Sequence, residues 1–149
     1  MRIRFKKWAR QELEASKFYI DEPEKYKGKW RTLFENNNPL YIELGCGKGG
    51  FISQIASENP NIDYIAIDLV DAMLGLAKRN VEQVYTEKNM EPENIVLTRY
   101  DIERILQILD KEDKIERIYR RIVKKTEALF RCCPTLRSVS SFYFFRRML

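Results

Sequence analysis

Apolar positions fall into two periods along this chain. Leu40-Tyr41-Ile42-Glu43-Leu44, Tyr64-Ile65-Ala66-Ile67-Asp68, Ile95-Val96-Leu97 and Ile115-Glu116-Arg117-Ile118-Tyr119 are short runs with the length and composition of strands. The second is apolar on both faces, as a parallel strand between two covering layers is. Between the runs the spacing changes to that of a helix. Phe51, Ile52, Ile55 and Ala56 share one face of a helix opening at Gly50 or Phe51. Val70, Met73, Leu74, Ala77, Val81 and Val84 predict a long amphipathic helix over 70–88. Ile102, Ile105, Leu106 and Leu109 predict a further helical face. Asn36-Asn37-Asn38-Pro39, Asn59-Pro60-Asn61 and Met90-Glu91-Pro92-Glu93 have the chemistry of loops. Strands alternating with helices predict right-handed crossovers and a doubly wound, Rossmann-like parallel α/β sheet.

Outside this alternation the pattern is weaker. Residues 1–39 form a preface, with a short helix expected from Trp8 to Ser16 and a break at Asp21-Glu22-Pro23. Beyond Tyr119 the period degrades. Arg120 to Phe130 reads as helical, Cys132-Cys133-Pro134 interrupts it, and Ser138 to Leu149 follows neither period cleanly, although Phe142-Tyr143-Phe144-Phe145 is apolar enough to add to the sheet as a strand. The expected organisation is a basic extension (1–39), an α/β domain (40–119) and a tail of different composition (120–149).

Composition narrows the chemistry. The chain has 149 residues, 44% hydrophobic and 33% charged, which suits one soluble domain. No apolar run approaches the roughly 20 residues of a membrane span. The basic N-terminus has no apolar signal core behind it, and Cys46, Cys132 and Cys133 form no disulfide framework, so a cytoplasmic protein is expected. Histidine is absent, which removes His-based metal sites, catalytic triads and imidazole bases. No metal is expected. The net charge of +5 is uneven: residues 117–149 hold nine Lys/Arg and one acid, while the first 116 hold 18 basic and 21 acidic residues. Within the preface Arg2, Arg4, Lys6, Lys7, Arg10, Lys25, Lys27, Lys29 and Arg31 interleave with Phe5, Trp8, Tyr26 and Trp30. Bases among rings suit a nucleic-acid backbone with unpaired bases. They suit equally a solvated face with a few anchoring rings.

Gly45-Cys46-Gly47-Lys48-Gly49-Gly50 follows the first of these strands directly. Gly45, Gly47 and Gly50 match G-x-G-x-x-G, a turn used by both dinucleotide and S-adenosylmethionine sites. Glu43 distinguishes the two. A carboxylate at the carboxyl end of the strand lies in the ligand crevice of an open sheet. It repels a pyrophosphate and attracts an ammonium or sulfonium, and S-adenosylmethionine carries both cations. Asp68 and Asp101 follow the next two strands at the same end. Asp68, 21 residues after Gly47, suits a ribose diol. Asp101 suits the adenine amine, and it serves equally as the N-cap of the next helix. The candidate cofactor residues are therefore Glu43, Gly45, Gly47, Asp68 and Asp101. No catalytic side chain is assigned.

With those residues in place the chain resembles a known family. Arg2-x-Arg4 with Trp8-Ala9, Tyr26-Lys27-Gly28-Lys29-Trp30, Asn38-Pro39, Ile42-Glu43-x-Gly45-x-Gly47-Lys48-Gly49, Phe51-Ile52, Asn59-Pro60, Tyr64-Ile65-x-Ile67 and Arg117-Ile118-Tyr119 are similar to the bacterial tRNA (guanine-N7)-methyltransferases. The resemblance implies a class I methyltransferase sheet, S-adenosylmethionine as cofactor and tRNA as partner. The family usually has Glu where Asp68 stands. It also carries an Asn-Phe-x-(Asp/Asn)-Pro-Trp-Pro-Lys segment after the fourth of these strands, where this chain has Arg120-Arg121-Ile122-Val123-Lys124-Lys125 and no Pro-Trp-Pro at all. This departure predicts a frameshift or truncation near Tyr119 and an impaired enzyme. It also predicts a sheet of about four strands, ordered third, second, first, fourth, with 115–119 as an uncovered edge and a loosely packed tail. A non-catalytic remnant binding cofactor or RNA, and a nicotinamide-binding module, are the alternatives.

Overall fold

The computed structural model of the chain describes residues 3–121 and 141–145. Its centre is a parallel sheet. Strand β1 is Tyr19–Ile20, β2 Leu40–Leu44, β3 Asp63–Asp68, β4 Ile95–Arg99, β5 Ile115–Arg121 and β6 Ser141–Phe145. The order across the sheet is β1-β4-β3-β2-β5-β6. Four of these are the strands the apolar runs predict, in the expected order, and their side chains alternate as a two-sided sheet requires. Leu40, Ile42, Leu44, Ile65, Ile67 and Ile118 enter one core, whereas Tyr64, Ala66, Leu97 and Tyr119 enter the other.

The expectation of about four strands is corrected at both edges. β1 is two residues long, too short to show a period, and is joined to β4 by Leu97 N–H donating to the Phe18 carbonyl and Thr98 Oγ1 donating to the Ile20 carbonyl. On the other side β6 pairs with β5 in parallel register, Arg117 opposite Ser141 through Arg121 opposite Phe145. Strand β5 is therefore interior rather than an uncovered edge. Arg120 and Arg121 belong to β5 and not to a helix; the rest of the helix expected over 120–130 lies outside the described residues, as do Cys132 and Cys133.

The second core is covered by three helices, α1 (Lys7–Glu14), α2 (Gly50–Glu58) and α3 (Asp71–Glu87), close to their predicted limits. Glycine in the middle of α3 has a packing reason. A Cβ at Gly75 would stand 2.8 Å from the Ala9 Cβ and 2.9 Å from the Trp8 ring, so its absence lets α1 lie against α3. Arg79 then clamps the pair: its guanidinium donates to both oxygens of Glu12 and stacks 3.6 Å over the Trp8 ring. The first core is covered by 3₁₀ turns at Trp30–Leu33 and Ile102–Gln107. The helix expected over 102–109 is such a turn, with non-helical backbone at Arg104.

At the amino end of β5, Asp113 is a buried hub. Its carboxylate accepts from the backbone N–H of Gly28 (3.0 Å), Trp30 (3.1 Å) and Asp110 (2.8 Å). The Trp30 indole, fully buried, donates to the Ile108 carbonyl at 2.7 Å. Tyr26 packs against Trp30 with ring centroids 5.7 Å apart. Of the two readings open for Tyr26–Trp30, the anchor describes Trp30.

Candidate functional site

The carboxyl ends of β2, β3 and β4 meet around the glycine turn. Gly45 has φ +75°, Gly47 +56° and Gly49 +74°, conformations that side chains with a Cβ rarely hold. Two hydrogen bonds lock the start of the turn to β3: the N–H groups of Gly45 and Cys46 both donate to the Ile67 carbonyl, at 2.8 and 2.9 Å. Helix α3 supports the other side. Ala77 lies so close under Gly49 that a Cβ there would sit 2.8 Å from the Ala77 Cβ and 2.9 Å from its Cα. Asn80 donates to the Lys48 carbonyl. Sequence reasoning missed Ala77 and Asn80. The available signal was a small residue on the apolar stripe of α3, one turn before an amide.

The face of the turn away from α3 is open. Among the described residues, a Cβ built on Gly45 would meet nothing within 4 Å. A ligand can therefore approach the backbone where a side chain would otherwise stand. Helix α2 begins directly after Gly49, whose lack of a side chain leaves its opening N–H groups without a side-chain cap.

Each predicted carboxylate has a distinct setting. Glu43 is 6% exposed on β2, flanked in register by Ala66 and Tyr119. Asp68 ends β3, and both its oxygens hold the turn: Oδ2 accepts from Gly47 N–H at 2.9 Å and Oδ1 from Val70 N–H at 3.0 Å. Those bonds fix the plane of the carboxylate. Each oxygen keeps a lone pair for a further donor, so two vicinal hydroxyls can be accepted together. Asp101 sits after β4, where its Oδ1 accepts from Glu103 N–H at 2.9 Å as the cap of the Ile102–Gln107 turn. The capping role is present, and Asp101 is partly exposed just after the carboxyl end of β4.

The residues fit an adenosyl group bearing a cation: an open glycine cradle, a diol-sized carboxylate held by backbone, and a second carboxylate buried in the strand before the turn. A phosphate-binding fit is poorer, because Glu43 places negative charge just before the turn. Among the described residues no group of three or more His, Cys, Asp or Glu is arranged to hold a metal ion, and no helix is long and apolar enough to cross a membrane.

Comparison with known proteins agrees with that geometry. A family model described as "Putative methyltransferase" matches residues 37–121, more than half of the chain. The chain belongs to this methyltransferase family. The chain is 56% identical over 119 residues to a tRNA (guanine-N(7)-)-methyltransferase of Clostridium botulinum, a match covering 80% of this chain and 54% of the relative. It is 54% identical over 119 residues to the protein of the same name from Clostridium beijerinckii, with the same coverage. It thus spans about half the length of the curated relatives it matches. Among solved structures, a 16S rRNA methyltransferase superposes with a TM-score of 0.54 at 16% identity, over 78% of this chain and 56% of that one. The fold is the Rossmann-like α/β fold of class I methyltransferases.

Proposed function

We propose that this methyltransferase binds S-adenosylmethionine at the 45–49 turn and serves methyl transfer to guanine N7 of tRNA in the cytoplasm, without a metal. The observation that carries the cofactor reading is the open, left-handed Gly45 between Glu43 and the backbone-held Asp68. The tRNA reading is supported by the names of relatives more than half identical over the shared region.

When bound, the cofactor supplies an electrophilic methyl group on sulfonium. The chain's residues bind and orient it. Asp68 would accept the ribose hydroxyls, Glu43 would lie near the cationic portion, and the opening N–H groups of α2 would donate to the carboxylate. Asp101 would accept from the adenine amine through the lone pairs its capping bond leaves. Guanine N7 has a free lone pair, so attack requires no proton abstraction, and no catalytic base is assigned. Rate enhancement then comes chiefly from holding nitrogen, carbon and sulfur in line.

Methyl transfer from labelled S-adenosylmethionine to unmodified tRNA, with the product read as 7-methylguanosine, tests this function. Incorporation at that position supports it. The absence of a Pro-Trp-Pro segment favours a second reading, in which the chain binds cofactor without transferring the methyl group. Saturable S-adenosylhomocysteine binding with no incorporation would support that one.

A further inference from the structure

Ile3, Phe5 and Leu69 are the large hydrophobic side chains left exposed among the described residues, at 42%, 80% and 50%. They are not scattered. All three line one shallow groove, together with Arg4, Val70, Asp71, Ala72 and Arg99. One wall is the irregular strap before α1, and the other is the turn between β3 and α3. Leu69 directly follows Asp68, so the groove opens at the ligand end of the sheet, beside the cofactor crevice.

The charges around it are unequal. Asp71 is offset by Arg99, at 3.4 Å, and Arg10, at 3.7 Å. Arg99 is further fixed by donating to the Leu69 carbonyl at 2.9 Å, which shapes the groove wall. Arg4 and Lys7 are exposed and make no ion pair among the described residues. An exposed ring lining a partly apolar groove, with exposed Arg4 beside it on the strap and Lys7 at the start of α1, combines what a single-stranded nucleic acid needs: a stacking face and phosphate partners. Trp8 and Trp30 cannot supply that face, because Arg79 covers one ring and the core holds the other.

We infer that the groove between the Ile3–Phe5 strap and the Leu69–Ala72 turn is a stacking site for an unpaired base of RNA, with Phe5 as its ring and Arg4 and Lys7 on the adjoining phosphates. The inference rests on the RNA-modifying reading above and deepens it. Phe5 is a positioning residue that holds substrate at the ligand end of the sheet, and it takes no part in methyl transfer.

The test uses the full chain with unmodified tRNA and with a fluorescein-labelled oligo(A), read by anisotropy, alongside S-adenosylhomocysteine calorimetry. Phe5→Ala and Phe5→Leu should each weaken RNA binding about tenfold, while Phe5→Trp stays within about twofold of wild type. Phe5→Ala should leave the salt dependence of binding unchanged, and Arg4→Ala should lower its slope by about one. Cofactor affinity should not move in any of them. Because Phe5 is exposed, these variants should retain the wild-type fold. Equal RNA affinity in Phe5→Ala and wild type overturns the inference alone. Loss of S-adenosylhomocysteine affinity in Phe5→Ala also overturns it, and assigns the groove to the cofactor. Failure of the wild-type chain to bind either RNA overturns it together with the tRNA reading.

Discussion

Gly28 and Gly45 have nearly the same backbone, φ +74° and +75°, and each sits in a short motif with charged neighbours. Their surroundings differ in one respect. Around Gly28 the N–H groups are met from inside the protein: Asp113 takes those of Gly28 and Trp30, and the Trp30 indole N–H has the Ile108 carbonyl. Around Gly45 the backbone bonds secure the turn but leave one face bare. The first region is a clasp that pins the preface to the amino end of β5. The second is a cradle at the opposite end of the sheet. Residue types and glycine conformation do not separate a clasp from a cradle; what lies opposite the missing Cβ does.

The contrast predicts different failures. The largest should come from the clasp. Asp113→Ala removes the acceptor of three N–H groups at once, one buried and two partly buried, and should destabilise the fold by about 3 kcal/mol, read as a lower urea midpoint. A loss below about 1 kcal/mol would show that the preface is only loosely attached.

The two glycines of the cradle should then part company. Gly49→Ala forces a Cβ into Ala77 as well as a left-handed alanine, and should cost roughly 2–4 kcal/mol. Gly45→Ala meets no atom of the described residues and bears only the conformational strain, roughly 1–2 kcal/mol, yet it fills the cradle. It should therefore fold and bind S-adenosylhomocysteine at least about tenfold more weakly. A Gly45→Ala variant with wild-type affinity would mean that ligands do not approach that face.

The smallest effect concerns Asp63, at the start of β3. Burial raises its pKa above the ordinary 3.8, against the lowering influence of the Asn36 and Asn38 amides. The folded chain therefore holds that proton more tightly than the unfolded one. The resulting stabilisation is complete below pH 3.8 and is lost as pH rises through the folded value. Relative to Asp63→Asn, the wild type should lose stability with rising pH across that window, measured by denaturant midpoints. A constant difference between the two would contradict the sign.

Much of this was legible in the sequence. The four central strands were readable because each is a compact apolar run, and their order was implied by the resemblance to methyltransferase sheets. The glycine turn and the carboxylates of Glu43 and Asp68 were readable because spacing alone places them at strand ends. The edge strands were not. Tyr19–Ile20 is too short for a period, and Ser141–Phe145 is apolar without alternation. The 3₁₀ character of 102–107 was hidden because a 3₁₀ turn and an α-helix give similar apolar spacing over six residues. The function of Tyr26–Trp30 was ambiguous because its partner, Asp113, lies more than 80 residues away.

If the 45–49 turn with Glu43 and Asp68 is an S-adenosylmethionine site, its ligand preference and the two carboxylate variants must show it. Calorimetric titration of the full chain with S-adenosylhomocysteine, and separately with NAD, tests it most directly. The account predicts saturable binding of S-adenosylhomocysteine, none of NAD, and affinity about tenfold to a hundredfold weaker in Glu43→Ala and in Asp68→Ala, since each removes a charge-assisted bond. Unchanged affinity in both variants, or binding of NAD in place of S-adenosylhomocysteine, would contradict it.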